Sequence, residues 1–489
     1  MSRPKPDRDP LIDQLRSALP EDCVVADPVS MKPYECDGLS GYRQIPRVVV
    51  LPRTVEQVQA VMKICQKTRT PIVPRGAGTS LSGGAMPHKN GVVLSLARLN
   101  RILEIDQDNR TARVQAGVRN LQISEAVQHL GLYYAPDPSS QIACTIGGNV
   151  AENAGGVHCL KYGLTVHNIL QVKMINLDGE IVSIGGTSLD SPGYDLLALL
   201  MGSEGMLGIV IEVLVRLLPV PKVARVLMAA YDDIEKAGNA VASVIAAGVI
   251  PGGFEMMDKA AIQAAEDFVE AGYPTDAEAI LLCELDGTEE DVRDQVRKVE
   301  ELLAKAGATD IRLAANNIQR VRFWSGRKNA FPAMGRISPD YYCMDGTIPR
   351  KELGHVLTSI ARLSEKYGLR VANVFHAGDG NLHPLILYDA NQPDEFEKAE
   401  AFGAEILDLC VAVGGTITGE HGVGVEKIER MCVQFDEASL AQFMAVRKAF
   451  DPDGLLNPDK AVPTLARCAE FNAMHVHHGE LPHPELERF

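Results

Sequence analysis

Residues 71–84 read Pro71-Ile72-Val73-Pro74-Arg75-Gly76-Ala77-Gly78-Thr79-Ser80-Leu81-Ser82-Gly83-Gly84. A short apolar strand, expected over Pro71 to Pro74, runs straight into a loop of small residues. Consecutive N–H groups in such a loop can converge on a phosphate, because glycine permits the required φ values and lets a ligand approach the backbone closely. No Gly-Lys-Ser/Thr follows, so the loop is not a nucleotide P-loop. The third glycine of a dinucleotide fingerprint is replaced by Leu81, which makes a poor Rossmann match. Alone, such a loop is more often a plain turn.

Two further segments change that balance. Pro136-Asp137-Pro138-Ser139-Ser140 precedes Thr145-Ile146-Gly147-Gly148-Asn149-Val150-Ala151-Glu152-Asn153-Ala154-Gly155-Gly156, and Gly202-Ser203-Glu204-Gly205-Met206-Leu207-Gly208-Ile209-Val210 leads into an apolar run. Three glycine-rich loops exceed what turns alone require. A large dinucleotide lying extended across one domain is their simplest common cause.

Outward from these loops the chain alternates regularly. Val48 to Leu51 reads as a strand, and Thr54 with Gln57 forms a capping box ahead of Val55, Val58, Met62 and Cys65 on one helical face. Strands are expected at Val92 to Leu96, Ile102 to Ile105 and Thr111 to Gln115, and a helix opened by Asn120. Asp178-Gly179 marks a hairpin within Val172 to Ile184. Met206 to Leu218 reads as a largely buried strand pair. After Pro219-Val220-Pro221 strand-like and helix-like stretches alternate with few glycine loops: Arg225 to Tyr231, Ile234 to Ala247, Gly253 to Met257, Lys259 to Ala271, Ile280 to Glu284 and Glu290 to Ala306. That texture predicts a smaller α+β domain with helices over one sheet face. A turn cluster at Pro452 to Pro458 is expected to return the chain to the first domain.

Composition narrows the function classes. The 489 residues are 46% apolar and 23% charged, as in an ordinary globular enzyme, and the formal net charge is −16. That charge disfavours nucleic acid or an anionic membrane as the main partner. No apolar stretch approaches the ~20 residues of a spanning helix, and Met1 to Pro10 has no signal-peptide core, so a cytoplasmic protein is expected. The ten cysteines include no Cys-x-x-Cys pair, so an iron–sulfur cluster or structural zinc site of the usual kind is not expected.

Chemistry-bearing residues concentrate in two places. His376-Ala377-Gly378-Asp379-Gly380-Asn381-Leu382-His383 brackets a tight turn with two imidazoles, and Gly419-Glu420-His421-Gly422 supplies a carboxylate and another imidazole. Two histidines and one carboxylate with open positions suit a divalent cation acting as Lewis acid on substrate oxygen. Arg327, beside the only tryptophan, Trp324, could clamp a carboxylate in bidentate fashion, a solvated basic turn being the alternative. The tail histidines His475, His477 and His478 are read as a solvated terminus.

Taken together, Pro-Arg-Gly-Ala-Gly-Thr-Ser at 74–80, Pro-Asp-Pro-Ser-Ser at 136–140, Gly-Ser-Glu-Gly at 202–205, the His376–His383 motif, Gly-Glu-His-Gly at 419–422 and Asn-Pro-Asp-Lys at 457–460 resemble the FAD-linked oxidases of the vanillyl-alcohol oxidase and p-cresol methylhydroxylase type, and within them the glycolate oxidase and D-lactate dehydrogenase branch. The resemblance spans roughly residues 34 to 463. It implies an α+β fold: a two-subdomain FAD-binding domain plus an α+β cap with a ferredoxin-like antiparallel sheet. The implied division is an N-terminal segment (1–45), the FAD-binding domain (46–221), the cap (222–415), a C-terminal segment returning to the flavin (416–465) and a tail (466–489). On this pattern Pro74, Arg75, Gly76, Ala77, Gly78, Thr79 and Ser80 cradle the pyrophosphate. Pro138, Ser139, Ser140, Gly147, Gly148, Asn153 and Gly155 lie along the pyrophosphate, ribityl chain and ring. Glu204 and Ile209 sit near the adenine end, and Asn457 with Lys460 comes back towards the isoalloxazine. Relatives with covalent flavin carry histidine about where Thr79 stands, so dissociable FAD is implied.

The same resemblance places zinc or manganese on His376, His383 and Glu420, His421 as general base, and Arg327 on the substrate carboxylate. Relatives acting on longer diacids carry a lysine in the strand around Tyr342 to Asp345, where this chain has Cys343 and Met344; a small 2-hydroxy acid, glycolate or D-lactate, is therefore expected. Electrons would leave through an iron–sulfur subunit and a second flavoprotein-like subunit, making a cytoplasmic protein peripheral at the inner membrane. Alternatives are a D-2-hydroxyglutarate-type dehydrogenase, a non-catalytic flavin-binding subunit, and an NAD-dependent enzyme, the last disfavoured by the broken glycine motif.

Overall fold

Val48–Val50 and Val92–Ser95 are runs of β-branched and apolar residues with every position buried, as central parallel strands require. The computed structural model, which describes residues 9–188, 193–464 and 468, places them in a four-stranded sheet ordered Val24–Val25, Val48–Val50, Val92–Ser95, Ile72–Arg75. Val48–Val50 and Ile72–Arg75 both run parallel to Val92–Ser95. The helix Val55–Thr68 packs on this sheet through Val58, Val61, Met62 and Cys65; Thr54 Oγ1 caps it by accepting from the Gln57 N–H. The tail histidines lie outside the described residues.

A second, antiparallel sheet follows the order Ile102–Asp106, Thr111–Gln115, Ile209–Arg216, Ile169–Ile175, Ile181–Gly185. The expected strand pair over Met206 to Leu218 is instead one long strand, Ile209–Arg216, hydrogen-bonded on both sides by Thr111–Gln115 and Ile169–Ile175. A strand buried by neighbours on either edge needs no hairpin of its own, and the apolar run alone did not distinguish the two arrangements. The expected helix does open at Asn120, as Asn120–Val127. Arg119 is the cap residue, and the buried Asn120 amide donates to Pro136 O and Asn149 Oδ1, tying residues 136 and 149 together.

The third sheet has seven strands, all adjacent pairs antiparallel, in the order Asp310–Leu313, Val223–Tyr231, Ala279–Gly287, Gly253–Asp258, Val371–Phe375, Pro384–Tyr388, Asp340–Cys343. Helices cover both of its faces, not one. Leu227, Ala229 and Tyr231 pack with Val241 and Leu353 on one side; Val226, Met228 and Ala230 pack with Ile262 and Trp324 on the other. The unbroken apolar run Ile280-Leu281-Leu282-Cys283 is the sequence mark of a strand buried on two faces.

The last turn closes the architecture. Leu456 pairs in parallel with Ile72, and the Asn457 N–H donates to Ile72 O at 2.7 Å, so the chain end returns beside the strand that feeds the glycine loop. No helix among the described residues is long and apolar enough to cross a membrane.

Candidate active site

The Gly378-Asp379-Gly380 turn joins two adjacent strands of the seven-stranded sheet. Gly380 adopts φ +85°, and the His376 N–H donates to Asn381 O at 3.1 Å. The reversal sets the His376 and His383 rings 5.0 Å apart and nearly perpendicular. Residues 419–421 approach from the C-terminal segment. His376 Nε2 lies 3.3 Å and His383 Nε2 3.1 Å from Glu420 Oε1. His376, His383 and Glu420 thus present ligand atoms within 4.8 Å of one another, a donor set suited to a divalent cation.

Two buried carboxylates that the motifs did not mark hold this arrangement. Glu255, in the fully buried strand Gly253–Asp258, receives His376 Nδ1 at 2.8 Å and lies 2.7 Å from Arg327 Nη2. Burial opposes its ionisation, but His376 and Arg327 prevail and hold its carboxyl below the usual range. Asp345 organises the other side. It accepts from Asn381 Nδ2, Thr418 Oγ1 and the N–H groups of Gly419, Glu420 and His421, and Lys427 Nζ stands 3.5 Å away. The turn that presents Glu420 and His421 is therefore wound around one carboxylate. Glu255 carries a signal that could have found it, a charge between Phe254 and Met256 in a strand whose one other charge, Asp258, is its last residue.

His421 stacks on His383 at 4.9 Å with the rings 7° from parallel. Burial, only partly offset by Asp345, pushes its pKa down to about 4, so the imidazole is neutral at neutral pH. Its Nδ1 is buried and has no hydrogen-bond partner. Arg327 lies in the helix Asn317–Lys328 rather than in a solvated basic turn, and is only 2% exposed. Its Nε and Nη2 are buried without an aligned acceptor. A buried guanidinium paired on one side with Glu255 and left with Nε unpartnered fits an anionic ligand.

The glycine loops meet this cluster from below. A Cβ on Gly155 would collide with Glu420 Oε2, and one on Gly76 would strike Thr145 Oγ1, so the three backbones approach one another closely. Among the described residues, no backbone N–H from Gly76 to Ser80 donates to a protein acceptor. Ala77 is exposed and Gly76, Gly78, Thr79 and Ser80 are half-buried, which leaves these donors free for a phosphate. Other expected cofactor residues are committed to the protein. Arg75 lays its guanidinium against Gly78 of the loop and donates to Cys36 O and Pro33 O, pinning the N-terminal segment there. Glu204 accepts from the Val423 and Gly424 N–H groups, and Ile209 is fully buried in the core. The Asn457 amide donates to Gly84 O and Glu204 O, while Lys460 donates to Asn457 Oδ1. Asn153 sits at φ +52° and accepts from the Val166 N–H. Gly147 donates to Ala116 O, and Gly148 to Thr145 Oγ1. Pro138 and Ser140 accept backbone bonds within the turn that carries Ser139.

The fold and these paired loops define a flavin-dependent oxidoreductase. Residues 46–185 match the FAD binding domain family and residues 220–461 the C-terminal domain of FAD linked oxidases. The chain is 64% identical to glycolate oxidase subunit GlcD of Escherichia coli K12 over 99% of its own length and 97% of that protein. It is 35% identical to D-lactate dehydrogenase of Archaeoglobus fulgidus, covering 86% and 92% of the two chains. The structure of p-cresol methylhydroxylase with substrate bound superposes with a TM-score of 0.78 at 20% identity, over 93% of this chain and 97% of that one, a likeness of fold. The chain belongs to the FAD-linked oxidase family.

Proposed function

We propose that the protein oxidises a small 2-hydroxy acid, glycolate or D-lactate, to the 2-oxo acid. The observation that carries the reading is the convergence of a neutral imidazole, His421, whose Nδ1 is unpartnered, with a buried arginine whose Nε is unpartnered and a divalent-cation donor set, all beside the glycine loops. Bound FAD would supply the hydride acceptor. Arg327 binds the substrate carboxylate with the edge of its guanidinium that Glu255 does not take up. His376, His383 and Glu420 would hold zinc or manganese, which lowers the pKa of a bound hydroxyl. His421 takes the hydroxyl proton at its unprotonated nitrogen, and Asp345, bonded to the His421 backbone N–H, fixes where that ring stands. Glu255 keeps His376 and Arg327 in register, so the metal ligand and the carboxylate clamp share one support. The expected division of the chain into a flavin-holding part (46–221) and a cap (222–415) accords with this, with residues 416–465 bringing Glu420 and His421 to the cap's histidines. The free N–H groups of residues 76–80 support the pyrophosphate assignment.

The GlcD relatives are named as subunits, which supports the transfer of electrons to partner chains: an iron–sulfur subunit and a second flavoprotein-like subunit, with peripheral attachment to the inner membrane through them. Anaerobic titration of the FAD-loaded protein with glycolate and then D-lactate should bleach the flavin absorbance with at least one of them. A chain that binds FAD yet is reduced by neither acid, metal-replete, would end this reading.

A further inference from the structure

A thiol stands in the same cluster. Cys343 closes the edge strand Asp340–Cys343, is buried, and makes its hydrogen bond to Met344 O at 3.4 Å, a weak contact for sulfur. Its Sγ, with His383 and His421, forms a second set of ligand atoms within 4.8 Å of one another. His421 Nδ1 is buried and unpartnered, so it gives up nothing to turn a lone pair inward, whereas His383 has partners at Nε2 (Glu420 Oε1, 3.1 Å) and Nδ1 (Met344 O, 3.4 Å) and must yield one of them to take an ion.

We propose that Cys343, His383 and His421 form a capture site for a thiophilic divalent ion, Zn2+ or Cd2+, which overlaps the His376, His383 and Glu420 set and inhibits the enzyme when filled. One thiolate and two imidazoles are a softer donor set than two imidazoles and a carboxylate, so they select Zn2+ and Cd2+ over Mn2+. On binding, the thiol releases its proton to solvent and sulfur takes the metal; no electrons are transferred. A neutral imidazole offers a single lone pair, so the two sets compete for His383 and cannot both be complete. Inhibition rests on the base role proposed for His421, because an ion held there removes the lone pair that accepts the substrate proton. Binding itself does not rest on that role.

The test uses FAD-loaded protein, reduced, freed of metal by a chelator and titrated with Cd2+ under anaerobic conditions. A thiolate-to-cadmium charge-transfer band should rise in the ultraviolet difference spectrum of the wild type. The half-exposed Cys36 provides the control: the band should persist in Cys36→Ser and vanish in Cys343→Ser and in Cys343→Ala, with bound FAD confirming that each variant is folded. Relative to its own uninhibited rate, Cys343→Ser should need roughly 10- to 100-fold more Cd2+ for half inhibition, the usual span for weakening a metal site. Absence of the band from the wild type, or its survival in both Cys343 variants, overturns the proposal. The band is read without turnover, so a failure of the 2-hydroxy acid reading would show separately, as flavin that the acids do not bleach.

Discussion

Two histidine clusters in this molecule use the same side chains to opposite ends. At His158, Nδ1 meets Asp137 Oδ2 at 2.8 Å and Nε2 meets Glu284 Oε1 at 3.4 Å, while Glu284 also receives Trp324 Nε1 and Arg320 Nη1. Both nitrogens are spent. At His421, Nδ1 is buried with no partner, and its ring is kept neutral. A saturated imidazole between two carboxylates is a clamp; an unsaturated one beside a donor set has something left to bind. His158 joins the turn holding Ser139 and Ser140 to the helix that carries Arg327, three residues beyond Trp324.

The difference is sharpest when each histidine is removed. His421→Ala should keep FAD and folding yet lose roughly 10²- to 10⁴-fold in kcat, the range for an acid–base group, measured as the rate of anaerobic flavin reduction. Retention of near-normal reduction would make His421 as structural as His158. Glu255→Gln comes next. It keeps the shape but removes the charge shared by His376 and Arg327, and an outer support of a metal ligand typically accounts for 10- to 100-fold. Both metal affinity, followed by activity against chelator concentration, and KM for the acid should worsen by about that factor. A rise in KM alone would assign Glu255 to Arg327 and not to His376.

Much of this site was legible in the chain. The residue runs at 74–80, 376–383 and 419–422 announce themselves because tight turns demand glycine at fixed places, and the candidate ligands lie within a few residues of those turns. The supports were less legible: Asp345 and Glu284 lie far in sequence from the groups they hold, Asp137 stands in a quoted motif that does not show its partner, and Glu255 leaves only the trace of a charge between apolar neighbours. Arg75, Glu204 and Asn457 carry structural contacts that the motifs did not announce. They stand within the cofactor-like motifs, but their side chains brace the N-terminal and C-terminal segments against the loops. The second helical layer was legible too: the run along Ile280 to Cys283 has no alternation, and that is the mark of a strand covered on both faces, where a one-sided sheet would alternate.

The smallest effect expected is at the clamp, and its signature is a pH dependence. Burial lowers the His158 pKa, but Asp137 and Glu284 outweigh it and hold the value well above the ordinary one. A group whose folded-state pKa is raised stabilises the fold fully below its unfolded value and loses that stabilisation as pH rises through the folded value. The contribution of His158 should therefore be complete below about pH 6.5, the ordinary histidine value, and should fade on the alkaline side. Arg320 and the Trp324 N–H still face Glu284 when His158 is neutral, so the clamp weakens there without leaving that carboxylate unpaired. His158→Gln should cost about 1–3 kcal/mol near pH 6, as for a buried partner removed, and progressively less at alkaline pH. Thermal unfolding of both proteins across that range is the measurement. Tm curves that stay parallel would mean that His158 is held neutral and joins the two halves by packing alone. Converging curves, with only a few-fold loss of flavin reduction at the temperature of assay, would separate the clamp from the base by chemistry as well as by place.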